Sequence, residues 1–96
     1  MKAEALEKKR RIQLSVWAWA YEQYNVSFVP DAKYDSESLK VNLNVATDRP
    51  DLDIWFKDNF MNCSGMWIHK HPELSRIDEI VFGIIEEQTR QRKKNP

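Results

Sequence analysis

The sequence predicts an all-α protein with about four helices in one small domain. Its 96 residues suffice for one small domain and are too few for two. Four segments carry apolar residues at the three- and four-residue spacing of a helix. No internal repeat, low-complexity segment or linker separates these segments. We therefore treat residues 1–96 as a single domain.

The first predicted helix runs from Lys2 to Tyr24, a stretch without proline or glycine. Its second half is apolar nearly all round, because two stripes occupy it: Leu14, Trp17, Tyr21 and Tyr24 on one, and Ile12, Val16 and Trp19 on the other. Either the rest of the fold covers this half on two sides, or Trp17 or Trp19 stays available to a partner.

Residues 25–29 are interpreted as an extended connector, since Val29 precedes a proline. Asp31 then opens a second helix, as its N-cap or as a first-turn carboxylate, and this helix extends to about Asn42. After a polar loop, Asp48 is expected to cap a third helix whose first turn holds Pro50. The buried stripe of the third helix is predicted to be Leu52, Trp55, Phe56 and Phe60.

Residues 61–71 are predicted to form an irregular loop, with a short extended piece at Met66 to Ile68. The fourth helix starts at Pro72 or at Ser75, which resembles the start of a capping box with Asp78. Gly83 inside this helix is expected to mark the close approach of another helix. The clearest amphipathic stripe of the chain lies here: Leu74, Ile77, Ile80, Val81, Ile84 and Ile85.

The net charge of zero conceals an acidic body between two basic ends. Residues 1–11 carry five basic and two acidic side chains, residues 90–96 carry four basic ones, and residues 12–89 carry six basic and thirteen acidic ones. We expect the basic ends to be solvated helix termini and direct contact with nucleic acid to be absent. No apolar run approaches the roughly 20 residues of a membrane span, nothing marks export, and one cysteine fits a reducing cytoplasm.

The segment Pro30-Asp31-Ala32-Lys33-Tyr34-Asp35 carries a resemblance to a known family. It resembles the small helical N-terminal domain, domain Ia, of bacterial NAD+-dependent DNA ligases. In that domain a tyrosine-rich helix end, a short connector and a motif of the form S/P-D-x-E-Y-D follow one another. Lys33 departs from the motif, and Tyr21 stands where the family has its upstream tyrosine. The resemblance covers roughly residues 14–40.

Domain Ia of the ligases recognises the nicotinamide mononucleotide (NMN) half of NAD+. The resemblance therefore implies that Tyr21, Asp31, Tyr34 and Asp35 form a site for NMN or NAD+. Glu22 stands at the position of a family histidine, and its carboxylate would repel the phosphate of the nucleotide. A purely structural interpretation of the same residues is also open. In it Asp31 caps a helix, Tyr34 packs against Tyr21 with its hydroxyl at the surface, and Asp35 is a first-turn acid.

We expect no enzymatic activity, because the chain lacks the K-x-D-G nucleotidyl-transfer motif of the ligases and any recognisable catalytic constellation. Free-standing proteins of this size that resemble domain Ia occur among bacteriophage genes. The resemblance thus implies a phage-type accessory protein in the cytoplasm of the host cell. We expect it to bind and to modulate or inhibit a host protein of DNA replication, repair or defence, of which the RecBCD nuclease is one example.

Candidate residues for binding a protein partner are Trp17, Trp19, Met66, Trp67 and His69. Met66, Trp67 and Ile68 form the most exposed apolar cluster predicted from the sequence, although a tryptophan in such a loop can also fold back to close the core. Cys63, His69 and His71 suggest a metal. Their spacing lacks the close ligand pair of a structural zinc site, so we expect no metal.

Overall fold

Four α-helices and one 3₁₀ helix make up the computed structural model of this protein. The structure describes residues 2–94, with the side chains of residues 2–92, so the basic segment 90–96 lies partly outside it. In chain order the elements are α1 (Ala3–Tyr24), α2 (Asp31–Leu39), α3 (Pro50–Asn59), the 3₁₀ helix (Met66–Lys70) and α4 (Leu74–Lys94). The described residues contain no strand. The all-α prediction with four helices is confirmed.

Helices α1 and α4 pack side by side in opposite directions along a molecule 48 Å long and 24 Å wide. Near the end of α1, Trp19 Nε1 and Tyr24 OH donate hydrogen bonds to Asp78 Oδ1 at 2.8 and 2.6 Å. Farther towards the start of α1, Ile12 shares a groove with Ile80. Moving towards the start of α1 therefore means moving towards the end of α4, so the two helices are antiparallel.

The core lies where the second half of α1 is covered by α4 on one side and by α2 and the 3₁₀ helix on the other. This two-sided cover is the first of the two arrangements that the apolar stripes of α1 predict. The half-buried side chains of Trp17 and Trp19 pack against the edge of this core. Its buried apolar residues are Leu14, Val16, Ala18, Ala20, Phe56, Trp67, Ile68, Ile77 and Val81.

A buried ion network fixes the first half of α1 to the segment between α2 and α3. Arg11 donates to Glu7 Oε2 at 2.8 Å, to Asp53 Oδ1 at 2.8 Å, and to the carbonyls of Asn42 and Val45 at 2.9 and 3.1 Å. Glu7 in turn accepts the backbone N–H of Asn42 at 3.1 Å. Three stretches of chain are therefore held by one guanidinium group.

Two predicted boundaries need correction. Helix α2 ends at Leu39 and does not reach Asn42. Asp48 does not cap α3, whose N-cap is Arg49. Instead, Asp48 forms an ion pair with Lys8 of α1 at 2.8 Å. The Asp48 carboxylate, predicted from the local sequence to cap a helix, therefore pairs with a residue that is distant in the sequence.

The segment Met66 to Ile68 belongs to the 3₁₀ helix and is not extended. The prediction was wrong because both Trp67 and Ile68 are buried. Consecutive residues of an extended segment point to opposite faces, whereas one helical turn places two neighbouring side chains on the core side. The rest of the predicted loop is irregular, as expected.

Helix α4 begins at Leu74, and Asp78 serves as the acceptor for Trp19 and Tyr24 of α1 in place of the predicted capping box. Gly83 is exposed, and a Cβ atom built on it would have no neighbour within 4 Å. The expected close approach of another helix at Gly83 is therefore wrong. No helix among the described residues is long and apolar enough to cross a membrane.

Candidate functional site

The junction between α1 and α2 is shaped by a left-handed residue. Asn25 has a φ of 55°, and its N–H bonds to the carbonyls of Ala20 and Tyr21. Asparagine tolerates this conformation better than most residues, and the turn satisfies carbonyls that the helix end would leave unpaired. The chain therefore turns sharply after Tyr24, and the connector brings α2 back along α1.

A cleft of about 300 Å³ opens at this junction, which we name the α1–α2 cleft. Its lining includes Tyr21 from α1 and Asp31, Tyr34 and Asp35 from α2. These are the four residues that the ligase resemblance assigns to nucleotide binding, and the structure brings all of them to one place. Further walls come from Trp17, from Phe28 of the connector, and from residues 63–65.

Tyr34 is fixed in the cleft by a hydrogen bond over a long sequence distance. Its hydroxyl donates to the carbonyl of Ser64 at 2.6 Å, and Trp67 Nε1 donates to the same carbonyl at 2.7 Å. Burial raises the pKa of Tyr34 to about 12, so the phenol stays a donor at neutral pH. The expectation that the Tyr34 hydroxyl lies at the surface is corrected, because this hydroxyl donates to the Ser64 carbonyl inside the fold.

The two carboxylates of the cleft, Asp31 and Asp35, lie four residues apart on α2 and so share one face of the helix. Both are exposed, and neither forms an ion pair with any side chain that the structure describes. Lys33, between them in sequence, pairs with Glu37 at 3.2 Å. Asp31 lies in the first turn of α2 and Pro30 is its N-cap, so the first-turn alternative for Asp31 is confirmed.

Glu22, the residue at the position of the family histidine, has its own partner. Its Oε1 lies 2.7 Å from Nε2 of His69 in the 3₁₀ helix. The carboxylate side chain is 20% exposed, and its Cγ lies close to Gly65, where an added Cβ would approach it to 3.9 Å. An imidazole therefore does stand at this edge of the cleft region, although it comes from residue 69 and not from α1.

No known protein family, curated protein or solved structure matched this chain in our comparisons. The likeness to ligase domain Ia therefore stays a prediction that depends on the quoted motif. The α1–α2 cleft adds a spatial arrangement to that motif.

The candidate residues for protein binding are divided between surface and core. Met66 is 70% exposed and His69 is exposed, whereas Trp67 is only 5% exposed. Trp67 packs against Trp55, Phe56 and Phe60 with ring centroids 5.0 to 6.1 Å apart. The surface position predicted for Trp67 is thus corrected, and its alternative as a core residue describes the fold. Trp17 and Trp19 are half-buried.

Cys63, His69 and His71 do not converge. Among the described residues, no group of three or more His, Cys, Asp or Glu side chains has the geometry of a metal site. Nδ1 of His71 accepts the backbone N–H of Glu73 at 3.0 Å, and burial lowers the pKa of His71. His69 contacts Glu22, and Cys63 is exposed.

Sequence reasoning missed a second groove, of about 270 Å³, between α1, α3 and α4. Its lining includes the apolar residues Ile12, Leu52 and Ile77 and the buried Arg11. One signal for Arg11 was present in the sequence. Glu7 and Arg11 stand seven and three residues before Leu14, on the stripe that leads into the core, where charged side chains are rare unless they are paired.

Proposed function

We propose that this protein is a non-enzymatic binding module whose α1–α2 cleft takes a nicotinamide ribonucleoside, the class to which NMN belongs. The observation that supports this function best is the convergence of Tyr21, Asp31, Tyr34 and Asp35 on that one cleft. The ligase resemblance named these residues from the sequence, and their convergence agrees with such a site.

The chemistry of the cleft suits the oxidised nicotinamide ring, which carries a positive charge. Tyrosine and tryptophan faces attract organic cations, and nearby carboxylates add to this attraction. Trp17, Tyr21 and Tyr34 supply the aromatic faces, while Asp31 and Asp35 supply carboxylates without a cationic partner among the described residues. Carboxylate oxygens are also good acceptors for ribose hydroxyls. The ring and the ribose thus both have suitable contacts.

The size and charge of the cleft narrow the ligand further. A volume of about 300 Å³ is at the lower end of the range for small-molecule sites, which favours a mononucleotide or nucleoside over the dinucleotide NAD+. The lining holds two aspartates and no lysine or arginine. A phosphate group therefore gains no ion pair there, so nicotinamide riboside is expected to bind at least as tightly as NMN.

Titration calorimetry with four ligands tests this function. We expect binding of nicotinamide riboside and NMN, weaker binding of NAD+, and weakest binding of reduced NMN, whose ring is uncharged. Asp31→Asn with Asp35→Asn is expected to weaken riboside binding about tenfold or more, since a hydrogen bond to a charged group contributes about 1.5–3 kcal/mol. Tyr21→Ala removes one aromatic face and should also weaken binding.

The matched control is Asp51→Asn with Asp58→Asn, which changes the net charge equally at exposed positions outside the cleft. Absence of heat with millimolar riboside and NMN would refute the proposed ligand class. An equal loss of affinity in the control and in the cleft variant would show that net charge, and not the cleft, governs binding.

A second function, modulation of a host protein, is favoured by exposed apolar side chains near the 3₁₀ helix. Met66 is largely exposed, and so are Leu39 and Met61. The hydrogen bond from Cys63 N to Ser38 Oγ at 2.8 Å holds the segments that contain Leu39 and Met61 together. Methionine adapts well to protein partners. This surface supports binding of a protein partner. A phage-type accessory protein acting on host DNA replication, repair or defence in the host cytoplasm is what the ligase resemblance adds to it.

A direct assay of purified RecBCD nuclease with and without this protein tests the named example. For other partners, proteins captured from bacterial lysate should be lost with Met66→Ser plus Leu39→Ser and retained with Ile54→Ser, a control on α3 of similar exposure. Capture of the same proteins by the unmodified chain, by Met66→Ser plus Leu39→Ser and by Ile54→Ser would exclude this surface as the binding site.

A further inference from the structure

The antiparallel packing of α1 and α4 brings the two basic segments of the chain to the same end of the molecule. Trp19 and Tyr24 contact Asp78, so the end of α1 lies beside the beginning of α4. From there α1 runs back to Ala3 and α4 runs on to Lys94 in the same direction. The two segments therefore lie towards the same end of the molecule, although Lys2 and Arg92 stand 90 positions apart in the sequence. We call this region, residues 2–10 and 86–94, the basic end.

The basic end contains eight basic and four acidic residues, whereas residues 11–85 contain seven basic and eleven acidic ones. The molecule thus has opposite charge on its two parts, although its net charge is zero. As separate segments, the termini predict only solvated helix ends. At one end of the molecule they bring together eight basic and four acidic residues, and such a cluster of cations is the usual electrostatic footprint of a phosphate-binding face.

Cations lie on the apolar stripes of α1 and α4 where these stripes reach the basic end. Lys9 stands seven residues before the buried Val16 and extends its stripe along α1, and Lys2 is the N-cap of this helix. On α4, Arg92 stands seven residues after the half-buried Ile85. The apolar stripes of α1 and α4 therefore both lead towards cations at the same end of the molecule.

Some cations of the basic end have an ion-pair partner in the protein, and others have none among the described side chains. Lys8 and Arg10 are paired with Asp48 and Glu37, and Arg90 with Glu87. No carboxylate that the structure describes lies within ion-pair distance of Lys2, Lys9 or Arg92, and all three side chains are exposed. Like charges at one end of a molecule repel each other, so these cations cost stability unless an anion lies against them.

We propose that the basic end binds the phosphate backbone of duplex nucleic acid. The last nine helical residues of α4, from Glu86 to Lys94, include no apolar residue. In residues 2–10 the one large apolar side chain that is exposed is Leu6. Insertion into a bilayer needs a broad apolar face beside the cations, and the basic end has none. Exposed lysines and arginines with amides such as Gln88 are instead the groups that contact phosphate and sugar oxygens.

The decisive experiment measures the fluorescence anisotropy of a labelled duplex of about 20 base pairs during titration with the full chain. For about four phosphate contacts, the affinity should fall roughly 100-fold between about 50 and 200 mM salt. Lys9→Gln with Arg92→Gln should weaken binding at low salt by at least about tenfold and reduce the salt slope by about two. Lys2→Gln with Arg90→Gln provides a second test of the same surface.

The control variant is Lys57→Gln with Lys70→Gln, which removes the same charge from exposed positions outside the basic end. It should retain the affinity of the unmodified chain, and circular dichroism should show all variants folded. Three results would overturn the proposal: no anisotropy change at low salt, an equal loss in the control, or binding that changes little with salt. Stronger binding to anionic lipid vesicles, or competition by polyglutamate as effective as unlabelled duplex, would overturn it in favour of a membrane or an acidic protein.

Discussion

Replacing Arg11 with methionine is expected to destabilise the fold by about 3–5 kcal/mol. The Arg11 side chain is 4% exposed and donates to Glu7, to Asp53 and to two backbone carbonyls. Methionine fills a similar space, but it leaves Glu7, itself 3% exposed, without its cation. Removing one partner of a buried ion pair typically costs about 3–5 kcal/mol, because the remaining charge is desolvated and uncompensated.

Urea unfolding followed by circular dichroism and tryptophan fluorescence measures this loss. For a domain of this size, 1 kcal/mol corresponds to about 4–8 °C in Tm, so the variant should melt more than about 10 °C below the unmodified chain. Arg11→Lys should fall between the two, since an ammonium keeps the charge but cannot make the same fork of hydrogen bonds. Arg76→Met, at a side chain that is 75% exposed, is the control and should change stability by less than about 0.5 kcal/mol.

The pH dependence gives an independent check of the same network. Burial alone would raise the pKa of Asp53, but hydrogen bonds from Thr47 and the charge of Arg11 outweigh it and lower the pKa. A carboxyl with a lowered pKa stabilises the fold above its unfolded value of about 3.9, and this contribution is lost as pH falls through the folded value. The penalty of Arg11→Met should therefore shrink in acid. A variant within about 1 kcal/mol of the unmodified chain at neutral pH would refute the reasoning.

Three further changes have clear expected outcomes. Gly83→Ala should stabilise the protein by about 1 kcal/mol in thermal unfolding, because α4 is open there and alanine is the better helix former; a loss of stability would show that Gly83 is needed. Burial lowers the pKa of His71, so stability should fall as pH drops below the unfolded value of about 6.5. His71→Gln should remove that slope between about pH 7.5 and 5.5, and an unchanged slope would assign it to another group. Tyr34→Phe should cost about 0.5–1.5 kcal/mol in urea unfolding by removing one donor to the Ser64 carbonyl, and no loss would mean that this bond contributes nothing.

The helices were predictable where local rules and packing agree. The run from Lys2 to Tyr24 has strong helix formers and no breaker, and α1 occupies Ala3–Tyr24. Pro50 with acidic neighbours predicted the start of α3, which begins at Pro50. A proline without an N–H and a run without helix breakers act on the local backbone alone, so these boundaries do not depend on a distant partner.

Helix-capping predictions were wrong where the carboxylate pairs with a residue that is distant in the sequence. Asp48 suited a helix cap, yet Lys8 holds it in an ion pair. Asp78 suited a capping box, yet Trp19 and Tyr24 donate to it. These partners are 40 or more residues away, and no periodicity in the sequence encodes such a pairing.

The candidate site was predictable in its residues and not in its construction. The motif around Asp31 and Tyr34, with Tyr21 upstream, named four residues that do line one cleft. Ser64, whose carbonyl accepts the hydrogen bond from Tyr34, lies 30 residues after that tyrosine and outside the motif. His69 also lies outside the motif, and it contacts Glu22 because the 3₁₀ helix packs on α1.

Helix α1 carries residues of both proposed binding sites, so their independence can be tested. Tyr21 lies twelve residues after Lys9, a distance of about 18 Å along the helix at 1.5 Å per residue. Charges so far apart at the surface are largely screened at physiological salt, where the Debye length is about 8 Å. We therefore expect saturating nicotinamide riboside to change the Kd for duplex by less than about twofold, as measured by anisotropy. A larger change would mean that filling the cleft alters how α1 packs against α4, since direct electrostatics cannot account for it. By linkage, duplex would then have to change the affinity for riboside by the same factor.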